Sequence, residues 1–410
     1  MNNNKDAISF ENTQIAFAYK SNSQLKKAHF LFSSMGKPWL VNLGLKITPY
    51  AIKWHLPFTK TVIQNTIFQQ FVGGETLEET AKVADKLEEY NVQVILDYGV
   101  EGKEGEDNFE NARDEFKKVI AYAATQANIP FMSIKVTGFA RFALLEKLDN
   151  GMNAATGTLM KRYLQAVELL SVEEREEWHM VRLRMLHVCE EAAAKNIGVL
   201  VDAEETWIQD PVDALTILMM DTFNKNKAVV FNTLQLYRHD RIQFLKDCYT
   251  AAEERNFILG AKLVRGAYMD KERNRAIEMN YPSPIQPDKE TCDKDYNAAT
   301  EFCINHLDRI SMIVASHNEY SNLYATELLD EKKIPHSHPH VHFSQLYGMS
   351  DNITFNLAKS GCSVSKYLPF GPINDVIPYL MRRAQENSSV SGQTGRELIL
   401  IKKEIKRRNA

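Results

Sequence analysis

Four polar side chains near the end of the chain have a spacing that places them on one face of a helix. Tyr379, Arg382, Arg383 and Glu386 occupy positions i, i+3, i+4 and i+7, which lie one above another on an α-helix. Two guanidinium groups beside a phenol and a carboxylate suit a small planar anion, such as a carboxylate. The same spacing also describes a solvent-exposed charged face with one ion pair, so the preceding elements must decide between the two.

Short runs rich in β-branched residues alternate with helical patterns from residue 91 onward. This alternation indicates parallel strands, and eight such units in about 300 residues is the number found in a (β/α)8 barrel. We therefore predict an α/β fold, a TIM-like (β/α)8 barrel with an N-terminal helical segment and a helical insertion after the second strand. The predicted strands are Val92–Tyr98, Met132–Thr137, Gly198–Ala203, Val229–Leu236, Leu259–Arg265, Ser311–Ser316, Val341–Leu346 and Ser363–Leu368.

The same patterns divide the chain into three predicted parts. Residues 1–88 form an N-terminal helical region, residues 89–392 the catalytic barrel and residues 393–410 a charged helical tail. Residues 139–195 of the barrel hold the inserted helices.

A polar residue stands at the end of each predicted strand. A (β/α)8 barrel gathers the C-terminal ends of its strands at one mouth, where such enzymes keep their active sites. One polar strand end is ordinary, but eight favour a polar ligand or cofactor. The eight residues are Asp97, Lys135, Asp202, Gln235, Arg265, His317, Gln345 and Tyr367.

Four of these strand ends carry recognisable chemistry. Lys135 and Asp202 form a predicted pair, and a buried ion pair seldom improves stability over apolar packing, which favours a functional role. Lys262 and Arg265 precede Gly266, where backbone amides can approach a phosphate or pyrophosphate. The segment Ser316-His-Asn318 offers hydrogen bonds to an adenosine or ribose, with a simple loop cap as the alternative.

Composition and missing motifs exclude several function classes. A net charge of −4 over 410 residues gives no nucleic-acid-binding pattern. Five cysteines without a CxxC motif fit a reducing compartment. The sequence has no GxGxxG, P-loop, HExxH or GxSxG motif, no signal organisation and no long apolar run. We expect a cytoplasmic protein. Because the Rossmann motif is missing, a dinucleotide cofactor would have to lie across the barrel mouth.

Two further segments have open interpretations. Residues 39–58 are rich in aromatic residues and mildly basic, which suits core or inter-domain packing and, as the alternative, peripheral contact with the inner face of the cell membrane. His336, His338, His340 and His342 alternate, but no Cys or carboxylate completes a familiar zinc spacing. We interpret the histidines as part of a surface loop and predict no metal.

Several segments of the chain resemble, in their sequence and their order, those of the proline dehydrogenase family of flavin-dependent barrel enzymes. The resemblance extends from residue 91 to about residue 390 and is closest to the stand-alone, eukaryote-like branch. It implies oxidation of L-proline to Δ1-pyrroline-5-carboxylate by hydride transfer to N5 of FAD, with electrons passed to a membrane quinone. The matching segments are Ser133-Ile-Lys-Val-Thr, Asp202-Ala-Glu-Glu, Lys262-Leu-Val-Arg-Gly-Ala-Tyr, Ser316-His-Asn, Gln345-Leu-Tyr-Gly-Met-Ser-Asp and Lys366-Tyr-Leu-Pro-Phe-Gly-Pro running on to Tyr379-Leu-Met-Arg-Arg-Ala-Gln-Glu-Asn.

The resemblance also implies residue roles. Arg382 and Arg383, joined by Lys135, would bind the proline carboxylate, and Glu386 would orient an arginine. Asp202, Lys262 and Tyr268 would serve catalysis, and Glu101 would form a lid ion pair with Arg382. Tyr268, Tyr367 and Tyr379 would wall the pyrrolidine ring. The implied FAD-binding residues are Ala203, Gln235, Lys262, Arg265, Gly266, Ala267, Ser316 and His317.

Two positions depart from or discriminate within the family pattern. Lys262 replaces an arginine of other members, near the flavin N5. Tyr367 favours proline, because the hydroxyproline-acting branch has a smaller polar residue there.

Two other function classes fit the sequence less well. One is a different barrel flavoenzyme, such as a methylenetetrahydrofolate reductase, in which NADH instead of proline would reduce the flavin. The other is a non-enzymatic barrel that senses an amino acid and contains no flavin.

Overall fold

The computed structural model describes residues 8–54, 59–99, 104–389 and 393–410. The chain forms two compact units, one of Met1–Val100 with Ser344–Ala410 and one of Glu101–Phe343, called unit 1 and unit 2 below. The predicted boundaries after residues 88 and 392 stay predictions. Among the described residues, no helix has both the length and the apolar character needed to cross a bilayer.

Eight strands close into a barrel in chain order, which confirms the predicted fold. The recorded pairings within the two units are parallel, as between β1 and β8 or β4 and β5. The strand bounds agree with the predicted runs to within three residues. The strands are β1 (Gln93–Tyr98), β2 (Phe131–Ile134), β3 (Gly198–Val201), β4 (Val230–Gln235), β5 (Leu259–Val264), β6 (Ile310–Ala315), β7 (Val341–Leu346) and β8 (Val364–Phe370).

Helices lie between and around the strands, and three of them form the predicted insertion between β2 and β3. A short 3₁₀ turn at Val136–Gly138 ends β2 earlier than predicted, and a π-helical turn covers Gln64–Phe68. The α-helices are α1 (Thr13–Ala16), α2 (Asn22–Met35), α3 (Pro38–Lys53), α4 (Thr59–Ile63), α5 (Gln69–Phe71), α6 (Leu77–Glu88), α7 (Glu106–Ala123), α8 (Phe142–Ala154), α9 (Leu159–Glu168), α10 (Val172–Lys195), α11 (Thr206–Phe223), α12 (Arg241–Arg255), α13 (Met269–Glu278), α14 (Lys289–Asn305), α15 (Glu319–Glu331), α16 (Asp351–Lys359), α17 (Ile373–Ser389) and α18 (Gln393–Asn409).

Unit 1 has an apolar core that fixes helix α17. Phe32 of α2, Leu380 of α17 and Leu400 of α18 belong to one buried cluster. Helix α2 begins at a capping box, in which the Ser21 hydroxyl and the Gln24 side chain satisfy each other's backbone N–H groups. The core therefore holds α17 by its apolar side.

Unit 2 contains β2 to β6 and the helices between them. These strands are almost wholly buried, as expected for parallel strands covered by helices. Because the strands run parallel, the residues that follow them lie toward the same end of the sheet.

Candidate active site

An ion pair joins the ends of two strands in unit 2. Lys262 Nζ lies 2.6 Å from Asp202 Oδ1, and both side chains are largely buried. Lys262 is part of β5, and Asp202 follows β3, where its backbone N–H donates to Ile134 O at 2.9 Å. Sequence reasoning assigned Lys135 to Asp202. The structure adds Lys262 as a partner, and the role of Lys135 stays a prediction.

The loop after β3 is held in place by its neighbours. Thr137 Oγ1 donates to both carboxylate oxygens of Glu204, at 2.8 and 3.0 Å. Gln235 Nε2, at the end of β4, donates to Glu204 O at 2.8 Å. Gln235 Oε1 is buried and has no hydrogen-bond partner among the described residues. A buried amide oxygen of this kind is suited to accept a hydrogen bond from a polar ligand.

Arg265 is held by four groups of unit 2. Its Nε donates to Asp293 Oδ1 at 2.7 Å, its Nη1 to Ser316 Oγ at 2.7 Å and its Nη2 to Ser321 Oγ at 2.9 Å. The guanidinium also lies 4.4 Å from the centre of the Tyr296 ring. The structure thus brings together two predicted residues, Arg265 and Ser316, and adds Asp293, which sequence reasoning missed.

Gly266 has a packing reason that the sequence did not reveal. Its φ is +139°, and a β-carbon at this position would lie 2.5 Å from the ring of Tyr237. A side chain is therefore excluded by both backbone conformation and space. Gly266 and Ala267 are exposed to solvent directly after β5, and Tyr268 precedes α13.

In unit 1, the predicted polar face of α17 is largely buried. Tyr379 is 8 % exposed and Arg383 is 5 % exposed, so the alternative of a solvent-exposed charged face is wrong for these two residues. Arg383 Nη2 donates to Glu386 Oε1 at 2.6 Å, and its guanidinium lies 4.9 Å from the centre of the Tyr379 ring. Arg382 is half-buried on the neighbouring part of the helix.

Two buried polar atoms of this cluster lack a hydrogen-bond partner among the described residues. They are Arg383 Nε and Tyr379 OH. Burial raises the pKa of the Tyr379 hydroxyl, against the effect of the Arg383 charge, so this group stays a neutral donor. One charged and one neutral donor side by side suit an anionic oxygen ligand.

Other predicted residues have simple positions. Tyr367 is buried in β8, where its carbonyl accepts from Tyr347 N at 2.9 Å. His317 is half-buried after β6, and Ala203 lies in the loop after β3. Glu101 lies outside the described residues, so its ion pair with Arg382 stays a prediction.

The alternating histidines have different environments. His336 Nε2 lies 3.1 Å from Asp330 Oδ1, His340 Nδ1 lies 2.6 Å from Leu307 O, and burial lowers the pKa of His342 to about 3. Within the ranges that the structure describes, no group of three or more His, Cys, Asp or Glu residues is arranged to hold a metal ion.

Sequence reasoning missed a buried ionic cluster in unit 1. Lys366 of β8 is fully buried and lies 2.9 Å from Asp351 Oδ1, while Lys20 Nζ lies 2.9 Å from Asp351 Oδ2. Tyr19 OH donates to Asp351 Oδ2 at 2.8 Å. The one feature of the sequence that could have indicated this cluster is a lysine, Lys366, within the apolar run of β8.

The chain is similar to several known proteins. The family model described as proline dehydrogenase matches residues 80–396. The chain is 30 % identical to "Proline dehydrogenase 1, mitochondrial" of Caenorhabditis elegans, over 99 % of this chain and 89 % of that protein. It is 31 % identical to hydroxyproline dehydrogenase of Rattus norvegicus, over 96 % and 93 % of the two chains.

Solved structures show the same fold. The proline utilization A protein of Bdellovibrio bacteriovorus matches 98 % of this chain with a TM-score of 0.72 and 17 % identity. The match spans 44 % of that longer chain.

Proposed function

The chain belongs to the proline dehydrogenase family of oxidoreductases, and we propose that it oxidises L-proline to Δ1-pyrroline-5-carboxylate with FAD. The observation that carries this proposal is the buried pair Tyr379 and Arg383, because Tyr379 OH and Arg383 Nε have no hydrogen-bond partner among the described residues and suit the substrate carboxylate. Family membership supplies the identity of the anion.

The proposed role of α17 is to position the substrate. Arg383 is held by Glu386 and by the Tyr379 ring, so little side-chain freedom is lost when the carboxylate binds. Because the carboxylate keeps its charge during the reaction, this contact contributes through orientation of the ring carbon beside nitrogen. Arg382 and Lys135 are proposed as further carboxylate contacts.

Residues of unit 2 fit a flavin dinucleotide in their chemistry. Gln235 Oε1 and Thr233 Oγ1 are buried without hydrogen-bond partners among the described residues, and Gly266 and Ala267 expose backbone next to Arg265. We assign FAD contacts to Gln235, Lys262, Gly266 and Ala267, with Ala203, Arg265, Ser316 and His317 around them. Bound FAD would supply the acceptor for the hydride that leaves proline.

The ion pair between Lys262 and Asp202 has a proposed orienting role. Asp202 holds the Lys262 ammonium group in one orientation, so the position of this cation is fixed before substrate binds. Only the neutral amine of proline releases a hydride readily, because its lone pair becomes the imine bond. Tyr268 and Tyr367 are the proposed walls of the ring site, and Tyr367 favours proline over hydroxyproline.

A membrane quinone is the proposed final acceptor. Helix α3 supports this proposal, because Trp39, Leu43, Ile47, Tyr50 and the following Trp54 are exposed. The spacing places these side chains along one helical face, as in helices that lie in a membrane interface. The expectation that the segment packs in the core is wrong for these side chains.

A double variant tests the quinone route. Trp39→Ser with Trp54→Ser is expected to slow reduction of a quinone embedded in vesicles, while reduction of a soluble dye stays unchanged. Equal rates with the vesicle quinone would remove α3 from this step.

A visible spectrum tests the proposed reaction. The purified protein, reconstituted with FAD, should show flavin absorbance that bleaches on addition of L-proline. Bleaching by NADH alone would favour a methylenetetrahydrofolate reductase, and a protein that takes up no flavin would favour an amino-acid sensor.

A further inference from the structure

One stretch of the chain has a charge balance opposite to that of the whole. Residues 12–74 contain seven lysines and no aspartate or glutamate, although the complete chain carries a net charge of −4. Basic amphipathic stretches of this kind are typical of segments that lie on a membrane surface.

The fold gathers part of this charge in one cleft of unit 1. An open cleft of about 690 Å³ is lined by Lys20, Lys26, Lys27, Lys82 and Lys86, and no acidic residue lines it. Helix α2 supplies Lys26 and Lys27, and α6 supplies Lys82 and Lys86 one helical turn apart. We call this the lysine cleft.

Most of these ammonium groups are not neutralised by the protein. Lys20 is paired with Asp351, and Lys27 Nζ lies 3.4 Å from Gln69 Oε1. Lys86 lies 5.6 Å from the centre of the Tyr19 ring. Across the described ranges, no carboxylate lies within ion-pair distance of Lys26, Lys82 or Lys86. Like charges that converge without counter-charges favour a bound anion, and lysine is a common ligand of phosphate groups.

The adjoining helices indicate the source of that anion. Phe30 of α2 lines the cleft and is 70 % exposed, and α2 packs against α3, which carries the exposed Trp39 and Leu43. Exposed aromatic and aliphatic side chains beside uncompensated lysines match an anionic lipid surface, which offers apolar depth and phosphate charge together.

We propose that the lysine cleft binds the phosphate groups of anionic phospholipids and so makes membrane docking selective for anionic bilayers. The proposal rests on the membrane contact proposed for α3 and adds lipid selectivity, which an apolar face alone does not provide. Free phosphate esters share the headgroup chemistry, so the test must separate the two sources.

Co-sedimentation with vesicles tests the proposal. The FAD-loaded protein is mixed with vesicles of phosphatidylcholine alone or with added phosphatidylglycerol. The cleft variant combines Lys26→Gln, Lys82→Gln and Lys86→Gln. Its matched control combines Lys246→Gln, Lys332→Gln and Lys359→Gln, which are exposed lysines that do not line the cleft. Both variants change net charge equally.

The expected result is selective loss of anionic binding. The cleft variant should bind phosphatidylglycerol vesicles at least about tenfold more weakly, while the control keeps most of its affinity. Added salt should weaken binding of the unaltered protein. Equal binding by the two variants would overturn the proposal. Tight binding of glycerol phosphate without binding to anionic vesicles would also overturn it.

Two readouts separate this proposal from its premises. Proline-dependent reduction of a soluble dye should be the same in all three proteins, and its absence from the unaltered protein would contradict the proposed enzyme function instead. Matching thermal unfolding curves of the two variants would show that loss of binding does not come from loss of structure.

Discussion

At the scale of single residues, burial removes two side chains of an ambiguous helical face, Tyr379 and Arg383, from solvent. Arg383 is buried with one carboxylate partner, Glu386, and its Nε has no hydrogen-bond partner among the described residues. A buried guanidinium with an unused donor costs free energy. An anionic substrate oxygen would offset that cost, which explains how such an arrangement fits an enzyme better than a purely structural helix.

Replacement of Arg383 should weaken substrate binding. Arg383→Met removes a charge-assisted hydrogen bond of about 1.5–3 kcal/mol, so we expect the KM for L-proline to rise by about 10- to 150-fold with flavin content unchanged. Steady-state kinetics measure the KM, and the flavin-to-protein absorbance ratio measures the flavin content. Arg182→Met, at an exposed position of α10, is the matched control. A KM equal to that of the control would remove Arg383 from the substrate site.

Tyr367 should set the preference between proline and hydroxyproline. Tyr367→Ser removes a buried ring and adds a small hydroxyl, which we expect to lower kcat/KM for proline relative to hydroxyproline by about tenfold. Tyr367→Phe keeps the ring and serves as the control, which should retain the preference for proline. An unaltered ratio in the serine variant would contradict the assignment.

At the scale of elements, one carboxylate ties distant segments of unit 1 together. Asp351 at the start of α16 contacts Lys366 of β8 and Lys20 before α2. Lys366 Nζ also donates to Met349 O at 2.6 Å, and Ser350 N donates to Glu397 of α18 at 2.5 Å. The Asp351 cluster therefore fixes β8, which carries Tyr367, against the segments around it.

Loss of Asp351 should destabilise the protein. Asp351→Asn leaves two lysines without their carboxylate, one of them fully buried, and breaking such a pair costs about 3–5 kcal/mol. Urea denaturation should show a correspondingly lower midpoint. Asp308→Asn, at an exposed position, is the matched control and should change the midpoint little. Equal midpoints for the two variants would show that the cluster does not hold β8 in place.

At the scale of the whole molecule, buried carboxyl groups link stability to pH. Burial and the charge of Asp351 raise the pKa of Glu397 in unit 1 to about 7, while the Ser350 N–H, Lys20 and Lys366 oppose the shift. In unit 2, burial and the charge of Asp210 raise the pKa of Asp149 to about 7. Folding therefore favours the protonated form of each of these two carboxyl groups, compared with the unfolded chain.

The expected pH dependence follows from that direction. Between the unfolded pKa near 4.5 and the folded pKa near 7, the folded state binds more protons, so stability falls as pH rises. Glu397→Gln removes one such group, and the stability of the unaltered protein relative to this variant should decline from pH 5 to pH 8. Thermal unfolding over that range measures the difference. A constant difference would show that Glu397 titrates normally.

Periodicity and motifs in the amino-acid chain were sufficient to predict the barrel, the polar strand ends and the family. Strand and helix periodicities are local, and the motifs from Ser133 to Asn387 are specific enough to identify relatives. Local pattern predicted strand ends only approximately, as with β2, which ends at Ile134 instead of the predicted Thr137.

Which groups meet and which are buried could be established only from the folded chain. Lys262 lies against Asp202 from 60 positions away, and Asp351 receives Tyr19 from 332 positions away. Helix α17, which carries Arg383, likewise packs against α2 and α3, which are distant in sequence. Ion pairing and desolvation act through space, so they are set by the packing of the folded chain and leave no periodic pattern in the sequence.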